Sequence, residues 1–81
     1  MKKPYYYITV EDRKTENWKD FKFTNFDKLV EKIDLNKYEV VLITARNFSD
    51  RAKEMAENNI NAYMKQLNDL YEKGFFESEL I

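Results

Sequence analysis

The chain has no cysteine and no histidine, and it has one glycine and one proline among its 81 residues. Without cysteine there is no disulfide framework and no thiolate metal site. Without histidine the chain lacks the side chain that most often acts as an acid or base near neutral pH and most often binds metals. A single glycine excludes a glycine-rich phosphate loop. We therefore expect no catalytic residues, no metal site and no cofactor.

The chain also lacks an excess of either positive or negative charge. Fourteen basic and fifteen acidic side chains give a net charge of -1, and they are interspersed along the chain. This balance argues against a direct, sequence-specific contact with nucleic acid. No apolar run approaches the length of a membrane span, and Lys2-Lys3 leads into Pro4 and Tyr5 rather than into the apolar core of a signal peptide. We expect a cytoplasmic protein with no membrane contact.

Aromatic side chains are abundant, with six Tyr, six Phe and one Trp. Such side chains fill cores, but they are also enriched in the centres of protein interfaces. A domain this small buries little apolar surface, and association with a partner is one common source of additional stability. The composition therefore favours a protein-binding module.

The first part of the chain combines one aromatic segment with one charged segment. Residues 4–10 are aromatic and β-branched, which is typical of a strand, although an extended arm fits equally well. Residues 11–22 are strongly charged, and we predict a loop that is tied down by Trp18, Phe21 and Phe23. Tyr5-Tyr6-Tyr7 beside Lys2 and Lys3 also suits a base-stacking arm for single-stranded nucleic acid, but the following acidic residues favour a strand edge.

Two further segments have the spacing of amphipathic helices. Thr24 is a candidate cap for a first helix, which carries Phe26, Leu29, Val30 and Ile33 at helical intervals. After a predicted break at Asn58-Asn59, residues 60–73 form a second apolar stripe, and Gly74 suits a left-handed cap at its end. The residues of that stripe are Ile60, Tyr63, Met64, Leu67, Leu70 and Tyr71.

The segment between these helices allows two interpretations. The continuous β-branched run at 40–44 favours a buried strand over 38–44, followed by a helix that Ser49 caps. The same segment also places apolar residues on one stripe of a continuous helix over 37–57. The residues of that stripe are Val41, Ala45, Phe48, Ala52 and Met55. Local propensity leans slightly towards the strand.

The stretch Asn36-Lys37-Tyr38-Glu39-Val40-Val41-Leu42-Ile43-Thr44-Ala45-Arg46 resembles the start of the central helix in the omega subunit of bacterial RNA polymerase. In that family a basic-aromatic-acidic triplet leads into an apolar run and then into an Ala/Arg-rich segment. Residues 24–33 resemble the short helix that precedes it, and residues 62–74 resemble a later helix that ends near a glycine. The chain departs from the family at Asn47-Phe48-Ser49, where omega subunits usually carry Arg-Ala-Arg. A similar triplet, Arg51-Ala52-Lys53, follows four residues later.

The resemblance implies a mainly α fold with a short helix, a long central helix over 37–57 and a C-terminal helix. It divides the chain into an N-terminal arm or loop at 1–23 and an omega-like helical domain at 24–81. It implies a non-catalytic subunit of DNA-dependent RNA polymerase that binds the β′ subunit and promotes assembly and stability of the core enzyme. The partner-binding residues that it suggests are Val41, Leu42, Ala45, Arg46, Phe48 and Arg51.

The sequence also allows two alternatives to an omega-like protein. The strand interpretation predicts an α+β fold with strands near 4–10 and 38–44, suited to a small protein-interaction or inhibitor module of the phage or plasmid type. Leu42-Ile43-Thr44-Ala45-Arg46 is also similar to the strand-end threonine motif of haloacid-dehalogenase-type phosphatases. Those enzymes need an Asp-x-Asp nucleophile motif after a strand, whereas Glu11-Asp12-Arg13 follows the first predicted strand here. An enzyme of that class is therefore disfavoured.

Overall fold

The computed structural model describes residues 2–74, which form an α+β fold of three strands and two helices. The sheet is antiparallel throughout, and its strand order is β2-β1-β3, so that the first strand lies in the centre. The elements in chain order are β1 (Tyr5–Asp12), β2 (Trp18–Phe23), α1 (Phe26–Lys32), β3 (Tyr38–Arg46) and α2 (Asp50–Glu72).

The predicted mainly α fold is wrong, and so is the continuous helix over 37–57. Residues Tyr38–Arg46 form β3, and α2 begins only at Asp50. The β-branched run at 40–44 has β1 as a neighbouring strand, and pairing with it satisfies the preference of such side chains for a pleated surface. The bounds of β1 and β3 are close to those of the two strands, near 4–10 and 38–44, that the α+β alternative predicted. Ser49 caps α2, and its Oγ accepts a hydrogen bond from the backbone N–H of Ala52 at 3.3 Å.

The segment 11–22, predicted as a loop, instead completes a β-hairpin. The Asp12 carboxylate accepts hydrogen bonds from the backbone N–H groups of Lys14 and Thr15, at 2.8 and 3.1 Å, and so fixes the turn. β2 then pairs antiparallel with β1. Its residues alternate between the two sides of the sheet, and Phe21 and Phe23 pack against the core.

Both helices pack on one face of the sheet. The buried core combines strand residues with one residue stripe from each helix. Tyr6 is central to it, because its ring lies 5.0 Å from Phe26 and 5.1 Å from Phe48, measured between ring centroids. The buried apolar residues are Tyr6, Ile8, Val10, Leu29, Ile33, Val40, Ile43, Ala56, Ile60, Tyr63 and Leu67.

The helix boundaries differ from those predicted, and the predicted break at Asn58-Asn59 is wrong. The cap of α1 is Asn25 rather than Thr24, since its side chain accepts a hydrogen bond from the backbone N–H of Asp27 at 2.8 Å. α2 runs through Asn58-Asn59 without a break, because both amides are exposed while Ala56 and Ile60 continue the buried stripe around them. Gly74, at a φ of 77°, adopts the left-handed conformation expected after the helix.

Candidate partner-binding surface

The face of the sheet opposite the helices has no covering element among residues 2–74. Directly paired residues share a face, and Tyr7 is paired with Lys22 on one side and with Thr44 on the other. Thr9 is paired likewise with Asp20 and Leu42. We call this surface the open face. Its residues are Tyr5, Tyr7, Thr9, Glu11, Trp18, Asp20, Lys22, Glu39, Val41, Leu42, Thr44 and Arg46.

A β-bulge in β3 adds apolar area to the open face. Thr9 pairs with Leu42, but the next residue of β1, Val10, pairs with Val40, so Val41 is an extra residue in β3. Val40 and Ile43 are buried, while Val41 and Leu42 are 39% and 51% exposed. The bulge therefore divides one apolar run between the core and the open face.

Aromatic rings on the open face contact charged side chains. The Arg46 guanidinium lies 5.8 Å from the centre of the Tyr7 ring, and the Lys22 ammonium lies 5.3 Å from that of Tyr5. Both distances are within the range of a cation–π interaction. Trp18 is 63% exposed, and its indole N–H donates a hydrogen bond of 2.8 Å to the Glu11 carboxylate. These contacts hold large side chains in place on an exposed surface.

The centre of the open face is polar. Thr9 is buried there, and its hydroxyl donates a hydrogen bond of 2.8 Å to the Asp20 carboxylate. The Tyr7 hydroxyl also bonds to Asp20, which lowers the pKa of Asp20, and the Thr9 bond lowers it further. The same interaction raises the pKa of Tyr7. At neutral pH the group is thus a carboxylate that accepts from two hydroxyl donors.

The residues predicted to bind a partner do not share one surface. Val41, Leu42 and Arg46 lie on the open face and are exposed. Ala45 and Phe48 are partly buried against the core, where Phe48 packs on Tyr6, and Arg51 is exposed in the first turn of α2. These residues were grouped on the assumption that they share one stripe of a helix. In β3 the side chains alternate between the two faces of the sheet instead, so Leu42 and Arg46 face away from Ala45.

Sequence reasoning missed the aromatic and polar half of this surface. Tyr7, Trp18 and Asp20 were not among the predicted residues. The signal was the alternation in 18–23, where Trp18, Asp20 and Lys22 face one way and the two Phe residues face the other. The high charge of this segment obscured a period of two that is typical of a half-buried strand.

Within residues 2–74 no three or more Asp or Glu side chains come together in a group suited to a metal ion. In the same part of the chain, neither helix has the length and apolar character needed to cross a bilayer. No protein-family model, no curated protein and no solved structure matches this chain.

Proposed function

We propose that the protein is a non-catalytic interaction module whose open face binds a protein partner. The observation that carries this proposal is the position of its exposed apolar side chains. Trp18, Val41 and Leu42 are all exposed, and all three lie on the face of the sheet that no described helix covers. Large apolar side chains that are exposed on one uncovered face mark that face as a candidate binding site.

The composition of the open face suits a protein interface. Trp, Tyr and Arg are the residues that most often dominate binding energy in such interfaces, and Trp18, Tyr7 and Arg46 occur together here. Arg46 rests on the Tyr7 ring, and Glu11 holds the Trp18 indole. Because these side chains are already positioned, binding sacrifices less conformational freedom than it would with mobile ones.

The charges of the open face favour a protein over a nucleic acid. A surface that stacks bases also needs a continuous cationic path for the phosphates. Here Asp20 sits beside Tyr7 in the centre, and Glu11 bonds to Trp18 at the rim. These carboxylates would repel a phosphate backbone, whereas a mixed-charge rim is common around protein interfaces.

A role in RNA polymerase assembly, with β′ as the partner, is a narrower proposal. The resemblance behind it assumed a central helix at 37–57, and the fold has β3 in that place. The broader proposal, an α+β interaction or inhibitor module, requires only the open face.

The test is affinity purification with matched variants from the cells that produce the protein. Trp18→Ala/Leu42→Ala truncates two exposed side chains of the open face, and Val30→Ala/Met55→Ala truncates two exposed side chains of the helices. Quantitative mass spectrometry identifies the proteins retained, and purified RNA polymerase core enzyme forms a separate arm. We expect a partner that the wild type and the helix variant retain and that the open-face variant loses by tenfold or more. Equal recovery with both variants would refute the proposal.

A further inference from the structure

β3 is an edge strand of the sheet, and among residues 2–74 no strand pairs with its outer side. It is nine residues long, which makes it the longest strand described. An edge strand presents backbone N–H and C=O groups that another extended chain can pair with. Addition of a peptide strand to such an edge is a recurrent mode of recognition.

A groove of about 350 Å³ lies between this edge and α2. Ile43 and Thr44 of β3 form part of its wall, and α2 supplies the remainder. The lining contains two carboxylates, two amides and no basic side chain. The α2 residues are Glu54, Glu57, Asn58, Ile60 and Asn61.

The two carboxylates of the groove are available for a cationic ligand. Glu54 and Glu57 are exposed, and neither forms an ion pair within the part of the chain that the structure describes. They are one helical turn apart, so their side chains emerge on neighbouring positions of α2, about 5–6 Å from each other. Alternate side chains of an extended strand are about 6.7 Å apart, which is a comparable spacing.

We propose that this groove binds an extended, basic segment of a partner protein, which adds to β3 as a fourth strand. Main-chain hydrogen bonds to the β3 edge supply affinity, and lysine or arginine at alternate positions faces Glu54 and Glu57. The groove lies at the outer edge of β3 and shares Thr44 with the open face. The inference extends the proposed function, and no step of it requires the open face to bind a partner.

A second copy of this chain suits the groove less well. Pairing of two β3 edges about a two-fold axis perpendicular to the sheet places both α2 helices on the same side of the joined sheets. The carboxylates of Glu54 and Glu57 then approach those of the second copy, and such like-charge juxtaposition disfavours the dimer. A basic segment meets the same carboxylates with opposite charge.

The probe is a fluorescein-labelled peptide, Thr-Lys-Val-Lys-Thr-Lys, titrated with the full-length protein at about 0.15 M salt. Fluorescence anisotropy reports binding, and a peptide with Glu in place of each Lys is the first control. Glu54→Lys/Glu57→Lys reverses the groove charges, while Glu31→Lys/Glu72→Lys makes the same charge change at exposed positions outside the groove lining. We expect saturable binding of the lysine peptide alone, weakened at least tenfold by the groove variant and less than threefold by its control.

Two N-methylated peptides distinguish strand addition from charge attraction. One carries N-methyl groups on the three Lys residues and the other on the three intervening residues, so each blocks one backbone edge of the extended peptide. We expect only one of the two to bind. The open-face variant Trp18→Ala lies on β2, at the opposite edge of the sheet, and should bind the unmodified peptide as the wild type does. This result separates the test from that of the proposed function.

Several results would overturn the inference. These are no saturable binding of the lysine peptide, equal weakening by the two charge-reversal variants, or equal binding of the two N-methylated peptides. Analytical ultracentrifugation can supply a fourth. A wild-type dimer that does not bind the lysine peptide would assign the edge to a second copy of the chain.

Discussion

Val40 and Ile43 lie three positions apart in β3, yet both side chains are buried in the core. In a regular strand, residues separated by three positions face opposite sides of the sheet. The extra residue Val41 changes the register between β1 and β3 and brings both side chains to the same face. The open face gains Val41 and Leu42 as a result. The bulge thus supplies most of the aliphatic surface on which the proposed interaction depends.

The bulge predicts unequal effects for two adjacent leucine-sized residues. Ile43→Ala should lower the free energy of unfolding by roughly 2–5 kcal/mol, because it opens a cavity in the core. Leu42→Ala should change it by less than about 1 kcal/mol, because that side chain is 51% exposed. Urea denaturation followed by Trp18 fluorescence measures both values. Similar losses for the two variants would contradict the register described for β3.

We expect that removing the hydroxyl of Tyr63 leaves the stability of the protein unchanged or increases it. Its hydroxyl is buried and has no hydrogen-bond partner within residues 2–74, while its ring packs 5.7 Å from that of Phe26. Tyr63→Phe should therefore leave the free energy of unfolding unchanged or raise it by roughly 1 kcal/mol, because an unsatisfied buried hydroxyl is costly. Tyr63→Ala should lower it by roughly 3–5 kcal/mol. A clear loss in the Phe variant would mean that the hydroxyl has a bonding role.

We expect the contribution of Asp20 to the free energy of unfolding to depend on pH. Hydrogen bonds from Tyr7 and Thr9 lower its pKa in the folded state below the value of about 3.9 expected for the unfolded chain. The stability that it contributes is therefore fully present above about pH 5 and is lost as the pH falls through the folded pKa.

Wild type and Asp20→Asn should differ by a constant amount near neutral pH, and the difference should shrink below about pH 4. Denaturant titrations across this range measure it. Asp12, whose pKa is also lowered by its turn hydrogen bonds, is present in both proteins, so its contribution cancels. A difference that does not vary with pH would contradict the Asp20 interaction.

We expect that a glycine at position 16, in the hairpin turn, stabilises the protein. Glu16 has a φ of 62°, in the left-handed region that costs a non-glycine residue roughly 1–2 kcal/mol. Glu16→Gly should raise the free energy of unfolding by roughly 0.5–1 kcal/mol, after allowance for the added freedom of the unfolded chain. Lys14→Gly is the matched control in the same turn, since Lys14 has no positive φ, and it should lower stability. Thermal unfolding resolves the two, and equal effects of the two substitutions would contradict the cost assigned to the left-handed conformation of Glu16.

Parts of this fold follow from the sequence and parts do not. The helical stripe over 60–71 and the left-handed conformation at Gly74 were correctly predicted, because each depends on local residue types. Residues 4–10, for which a strand and an extended arm fitted equally well, lie mostly in β1. The choice between strand and helix over 37–57 depended on a tertiary partner. β1 pairs with this segment, and local propensity does not reveal such pairing. The resemblance to omega subunits favoured the helix, and that choice was wrong.

The candidate site was only partly predictable for a related reason. Val41, Leu42 and Arg46 were proposed as partner-binding residues, and the structure leaves all three exposed on the open face. The other large side chains of this face, Tyr7 and Trp18, belong to β1 and β2, which are far from β3 in the sequence. Only the pairing of the three strands places them on the same face as Leu42. Phe48 was expected to contact a partner, but it contacts Tyr6 within the chain. Large aromatic residues serve both roles, and sequence does not separate them.

Site-specific photocrosslinking tests the central claim, that the open face binds a protein, most directly. The photoreactive amino acid p-benzoylphenylalanine is placed at Trp18 in one variant and at Met55, which is 70% exposed on α2, in another. After irradiation in the cells that produce the protein, the account predicts a discrete adduct with a second protein from the Trp18 position. That adduct should be lost when Tyr7→Ala/Leu42→Ala is added, and the Met55 position should give none. Absence of an adduct at Trp18, or equal adducts at both positions, would contradict the account.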